Sequence, residues 1–139
     1  MAGYSGTPLL KKLGVKEGFR IGLVNAPASF LEDLGKLPAE ANVVSRLSGS
    51  LDFVALFVDS ERQLRKKFRL LAAKLKANGM IWVAWPKKSA GIPTDLSFDN
   101  VQKTGLEAGL VDVKICAIDE TWSGLKFVYR LRDRPRTTK

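Results

Sequence analysis

Histidine is absent from this 139-residue chain, and cysteine occurs once. Without histidine there is no Ser-His-Asp or Cys-His nucleophilic chemistry and no imidazole acid–base catalysis. The two shortages together exclude an ordinary zinc site. Cys116 has no partner for an internal disulfide, so a reducing, cytoplasmic compartment is expected. Within VKICAI it reads as a small buried hydrophobe and not as a nucleophile. No apolar run approaches the ~20 residues of a membrane span. The opening MAGYSGTPLLKK lacks the apolar stretch of a signal peptide. No membrane partner is expected.

What is present is ordinary for a globular domain: 45% hydrophobic and 27% charged residues. The length suits one domain with a real core, expected over residues 1–131 with a basic tail at 132–139. The net charge of +9 is unevenly spread. Residues 60–77 hold seven bases and one acid, residues 130–139 hold five and one, and the remainder is close to neutral. A solvated surface explains both segments. They also make a candidate surface for an anionic partner, nucleic acid or an acidic protein, at Arg62, Arg65, Lys66, Arg69 and the tail.

Periodicity divides the chain into alternating strands and helices. Thr7-Pro8 begins a short helix carrying Leu9, Leu10 and Leu13, with Thr7 as N-cap, Pro8 at the first helical position and Gly14 at its end. FRIGLV (19–24) is a first strand, and residues 29–37 form a helix capped by Ser29. Residues 42–47 have a weak strand pattern. The link Ser48-Gly49-Ser50 is too short for a parallel crossover, so this strand either pairs antiparallel or is irregular. The continuously apolar 53–58 reads as a strand buried on both faces. A helix follows to about Ala77, capped by Ser60 or Asp59, with Leu64, Phe68, Leu71 and Leu75 as its inner stripe. Asn78-Gly79 reads as its left-handed stop. Residues 80–85 form a second buried strand, placing Trp82 and Trp85 on opposite faces. A last helix spans 97–108. Strands at 111–119, covered on both faces, and 125–131 are joined by a turn at 120–124. The expected class is α/β: a single three-layer Rossmann-like domain, mostly parallel, with a closing C-terminal hairpin.

DFVALFVDS, the basic helix after it and NGMIWVAWPKK resemble the later half of a class I S-adenosylmethionine (SAM) methyltransferase. GYSGTPLLKKLG, VNAP, WVAWPKKSAG, PTDLS and DETWSGLKFV resemble a bacterial family of unknown function that opens with GYSGTPLxKKLG, over about residues 3–131. That resemblance implies a shortened methyltransferase-like domain and no established activity.

Ligands of open α/β sheets bind beyond the carboxyl ends of the strands. The candidate rim is therefore Asn25, Asp59, Ser60, Lys87, Lys88, Asp95, Asp119, Glu120, Trp122 and Ser123. Several of these have plain structural readings. Asp59 and Ser60 suit a helix cap, Lys87 and Lys88 a solvated loop, and Thr94-Asp95 the approach to the last helix. Trp122 is unusual in a turn, where it either packs back on the sheet or stacks on a ligand. No catalytic residue and no metal site is assigned. Val24-Asn25-Ala26-Pro27 lacks the glycines of a SAM or dinucleotide loop, Pro27 removes a backbone donor, and Arg46 and Ser48 stand where a ribose-binding acid is expected. The expectation is a non-catalytic or regulatory binding module on a degenerate methyltransferase-like scaffold, with no cofactor. The alternatives are a small SAM-dependent methyltransferase or other transferase, working by proximity without histidine, and a nucleic-acid-binding protein.

Overall fold

Every residue of Leu51–Phe57 is buried, as the apolar run from Phe53 onward requires of a strand enclosed on both sides; the one charged member, Asp52, accepts the Arg20 amide and pairs with Lys76. Around it the computed structural model, which describes residues 8–130, arranges a mixed α/β fold. The elements are α1 (Leu9–Leu13), β1 (Arg20–Val24), α2 (Ala28–Leu34), β2 (Asn42–Val43), β3 (Leu51–Phe57), α3 (Glu61–Ala72), β4 (Leu75–Pro86), α4 (Phe98–Glu107), β5 (Leu110–Ala117) and β6 (Trp122–Tyr129). They form a six-stranded sheet in the order β2-β1-β3-β4-β6-β5. The pairs β1–β2, β1–β3 and β3–β4 are parallel. The β4–β6 and β6–β5 pairs are antiparallel.

Two apolar layers sandwich the sheet. On one face Leu64, Phe68 and Leu71 of α3 and Val101 of α4 cover Val54, Leu56, Ile81 and Val83. On the other, Leu13 of α1 and Phe30 and Leu34 of α2 cover Phe53, Ala55, Phe57 and Trp82. Each fully buried side chain of this size stabilises the fold by roughly 1.5–3 kcal/mol before entropy is counted. Trp82 and Trp85 fall on opposite faces, as their spacing of three requires. Trp82 donates its indole N–H to the Leu13 carbonyl (2.9 Å), tying α1 to the sheet. α4 packs directly on the hairpin because residue 105 is glycine: a Cβ there would lie 2.0 Å from a Phe127 ring carbon.

Several expectations are corrected. α1 starts at Leu9 with Pro8 as its N-cap, one residue outside the expected first helical position; Thr7 lies outside the described residues. α2 starts at Ala28 with Pro27 as N-cap, and Ser29 lies inside it. The weak strand is only Asn42–Val43 and pairs parallel. Seven residues suffice for its return because no helix is built. Residues 44–50 run as a loop down the face of β1, and Leu47 occupies the space over Gly22, 2.7 Å from where a Cβ would be. α3 ends at Ala72, and Leu75 belongs to β4. Gly79 is therefore no helix stop. It sits beside an irregularity in the β3–β4 register, where a Cβ would lie 2.8 Å from the Leu51 carbonyl oxygen.

The hairpin turn is also shorter than expected. Trp122, Ser123 and Gly124 are strand residues paired with Pro86, Trp85 and Ala84. Gly124 is required because Ile118 and Trp82 close over it, at 2.9 and 3.1 Å from a would-be Cβ. β5 is the sheet edge and is not covered on both faces: Val113 and Ile115 are each 54% exposed. A register shift between Asp112 and Lys114 interrupts that edge, a common device against edge-to-edge pairing.

Candidate functional site

The exits of β1, β3, β4 and β5 all lie on one edge of the sheet, because these four strands run in the same direction. The chain leaves β1 for β2 on one side and returns to β3 on the other. The crevice between the ends of β1 and β3 is thus the topological switch point, the place where doubly wound sheets bind ligands.

Asn25 follows β1 with φ +59° and donates its side-chain N–H to the Phe57 carbonyl at the end of β3 (3.3 Å). Asp59 is exposed, and its amide donates to Gln63 Oε1 (3.0 Å). Ser60 is the N-cap of α3, its hydroxyl accepting from the Gln63 amide (3.2 Å). The floor beneath is aromatic. The Phe57 ring meets Phe30 and Trp122 edge-on, with centroids 4.9 and 5.1 Å apart. Trp122 thus packs back onto the sheet.

One strand further along, β4 ends at a cavity of about 380 Å³, between Pro86 and the start of α4. Trp85, Leu96 and Phe98 lie in its apolar lining; Lys87, Lys88, Ser97, Ser123 and Asp99 are its polar lining. Adjacent strands are about 4.8 Å apart, so this cavity and the switch point lie on a common rim. The Lys87 amide donates to the Thr121 carbonyl (2.8 Å), fixing the β4 exit against the hairpin turn.

Other members of the expected rim stand around these two places. Asp95 Oδ1 accepts the Glu61 amide (2.8 Å), placing a carboxylate at the α3 N-terminus where the helix dipole favours it. Asn100 donates to the Asp95 carbonyl (2.7 Å), so Asp95 links the start of α3 to the start of α4. Asp119 Oδ1 accepts the amides of Thr121 and Trp122, both at 2.8 Å, and holds the turn. Glu120 is exposed in that turn, and Ser123 stands opposite Trp85 in β6.

On the basic face, Arg65 pairs with Glu61 (3.1 Å) and Glu107 (3.6 Å). Arg69 donates to the Glu107 carbonyl (3.2 Å). Two of the four candidate cations therefore join α3 to α4, leaving Arg62 and Lys66 exposed without an ion pair among the described residues. The basic tail lies outside the described residues.

The sequence reading missed the cavity lining Trp85, Leu96, Phe98 and Asp99, which carries no signal beyond apolar spacing and one helix start. It also missed a second cationic cluster. Lys126 is half-buried, with its pKa lowered first by burial and then by the charges of Lys114 and Lys16. Lys114 donates to the Lys12 carbonyl (2.8 Å) and Lys12 to the Ala117 carbonyl (2.9 Å). Cys116 lies among them half-buried, and burial pushes its thiol up despite Lys12 and Lys114 nearby.

No family model matches the chain, and no curated protein matches it. Solved structures do. A SAM-dependent methyltransferase from Aquifex aeolicus is 14% identical, covers 86% of this chain and 86% of its own, and superposes with a TM-score of 0.60. Precorrin-6y C5,15-methyltransferase from Geobacter metallireducens GS-15 is 8% identical over 88% of this chain and 86% of its own, with a TM-score of 0.61. Magnesium protoporphyrin IX methyltransferase from Synechocystis PCC 6803, with bound SAH, is 9% identical over 82% of this chain and 75% of its own, with a TM-score of 0.59. The fold is methyltransferase-like. The likeness to the family opening with GYSGTPLxKKLG rests on motifs alone. No helix among the described residues is long and apolar enough to cross a membrane.

These neighbours overturn two expectations, the non-catalytic binding module and the absence of a cofactor. Both rested in part on a lost glycine loop. In this structure the turn itself is intact. Asn25 adopts the positive φ that a glycine would supply, a conformation asparagine tolerates. The Asp59 carboxylate accepts no hydrogen bond among the described residues, and Asn25 retains a side-chain oxygen. An amide and a carboxylate flanking the switch point fit the polar groups of an adenosyl moiety. The acid sought after the second strand is absent: β2 runs on into Val44, Ser45 and Arg46.

Proposed function

We propose that the chain is a small SAM-dependent methyltransferase. The observation that carries this reading is the shared rim: a polar switch point and a ligand-sized cavity one strand apart, on a fold whose solved neighbours are SAM-dependent methyltransferases. Asn25 and Asp59 would hold the adenosyl group by hydrogen bonds, one from each side of the crevice. Lys87, Lys88 and Ser123 would hold an acceptor. SAM, when bound, supplies a methyl group on a sulfonium, ready for direct displacement. The chain's own contribution is alignment, which by itself is worth several kcal/mol of barrier and needs no histidine. Phe57, Phe30 and Trp122 give that alignment a rigid base.

Thermal unfolding with SAM and with SAH tests the reading. Ligand at about 100 times its Kd adds about 2.7 kcal/mol of stability, and a clear rise in Tm is expected. Asp59→Asn should weaken SAM binding about tenfold in calorimetry with the fold unchanged. No rise in Tm at millimolar SAM sinks the proposal.

A further inference from the structure

The β4–α4 cavity has a definite chemical character. At about 380 Å³ it lies within the range of sites that take one small molecule, roughly 300–1,000 Å³. Its apolar lining is suited to a flat ring: Trp85, Leu96 and Phe98. Its polar lining is dominated by cations. Neither Lys87 nor Lys88 has an ion pair among the described residues. Asp99 contributes one opposing charge, so the lining stays net positive.

Trp85 also supplies a hydrogen-bond donor. It is only 6% exposed, yet its indole N–H donates to nothing among the described residues, whereas Trp82 on the opposite face has the Leu13 carbonyl. Trp85 lines the cavity and its indole nitrogen is not sealed from solvent, so the donor is free for a ligand.

We infer that this cavity binds a small molecule with a ring-sized apolar body and one anionic oxygen group, a carboxylate or a phosphate. The ring lies against Trp85, Leu96 and Phe98. The anionic oxygens accept from Lys87, Lys88, Ser123 and the Trp85 indole. Binding of this kind stands by itself; the assignment of the molecule as the methyl acceptor rests on the methyl-transfer reading above.

The test is a titration of the full chain, followed by two-dimensional amide NMR, with benzoate, phenyl phosphate and neutral benzamide. At least one anion should bind about tenfold tighter than benzamide, as two partly exposed charge contacts would give. It should move the Trp85 indole and Ser123 amide signals. The tighter of the two anions names the group. The double variant Lys87→Gln/Lys88→Gln should reduce the anion to the affinity of benzamide, and Lys87→Arg/Lys88→Arg should restore most of it. Equal binding of all three probes, or an unmoved Trp85 indole, overturns the proposal. The two readings fail separately. Anion binding without a thermal response to SAM keeps the cavity and loses methyl transfer. A response to SAM with no anion binding does the reverse.

Discussion

The two ends of the rim are built on different principles. At the β1–β3 end the crevice is bridged by Asn25 and floored by three interlocked rings, Phe30, Phe57 and Trp122. Its neighbouring crossover, residues 44–50, is only a loop laid over Gly22. At the β4 end a cavity stays open beside the start of α4, which Asp95 ties to α3 by hydrogen bonds while Leu96, Phe98 and Val101 pack into the core behind it. Apolar packing makes a rigid, shallow floor, since interiors pack as densely as crystals. Polar ties leave room, since they fix distances between backbones without filling the space between them.

The largest effect that would break this comparison is expected at Phe57. Its ring is 2% exposed and joins both other rings, so Phe57→Ala should cost about 3–5 kcal/mol in urea unfolding. A loss under 1 kcal/mol would mean the rings are not the floor. The next effect sharpens the other side. Asp95→Ala removes the carboxylate at the α3 N-terminus and should cost about 1 kcal/mol. It should also weaken benzoate binding, because the segment leading into α4 loses its side-chain tie to α3, although the Asn100 bond to the residue 95 carbonyl remains. Unchanged stability with unchanged binding would show that the tie does not shape the cavity.

The smallest effect is a control away from both ends. Lys126 is held below its ordinary lysine pKa of 10.5, by burial first and then by Lys114 and Lys16. The unfolded chain therefore holds this proton more tightly than the folded one. The cost to stability is fully present below the folded pKa and shrinks as pH rises through it toward 10.5. Lys126→Met should thus stabilise the protein at neutral pH by roughly 0.5 kcal/mol, discounted for exposure. The gap to the parent should close under alkaline conditions. Cys116 and Tyr129, whose pKa values are raised, titrate in both proteins and cancel in the difference. A gap that widens with pH would reverse the assignment.

Much of the scaffold was legible. The apolar run of β3 from Phe53, the inner positions 64, 68 and 71 of α3, the opposed faces of Trp82 and Trp85 and the last helix near 97–108 all follow from local spacing. The misreadings share one cause. Gly79 resembles a helix stop by its dipeptide, but its role is set by the Leu51 carbonyl of another strand. Trp122 looked like a turn residue until Phe57 gave it a packing partner. The missing glycine loop read as a lost cradle because Asn25 was not recognised as supplying the positive φ.

By itself the amino-acid order determined the alternation of elements, the faces they bury, and a chemistry without histidine. Those depend on residues a few positions apart, whose geometry the helix and strand repeats dictate. Only the tertiary structure decided that four strand exits share one edge, that two helix arginines are spent on a neighbouring helix, and that a cavity stays open beside Lys87. Each of these joins residues tens of positions apart, and such pairings follow from how the layers pack, which no local period encodes.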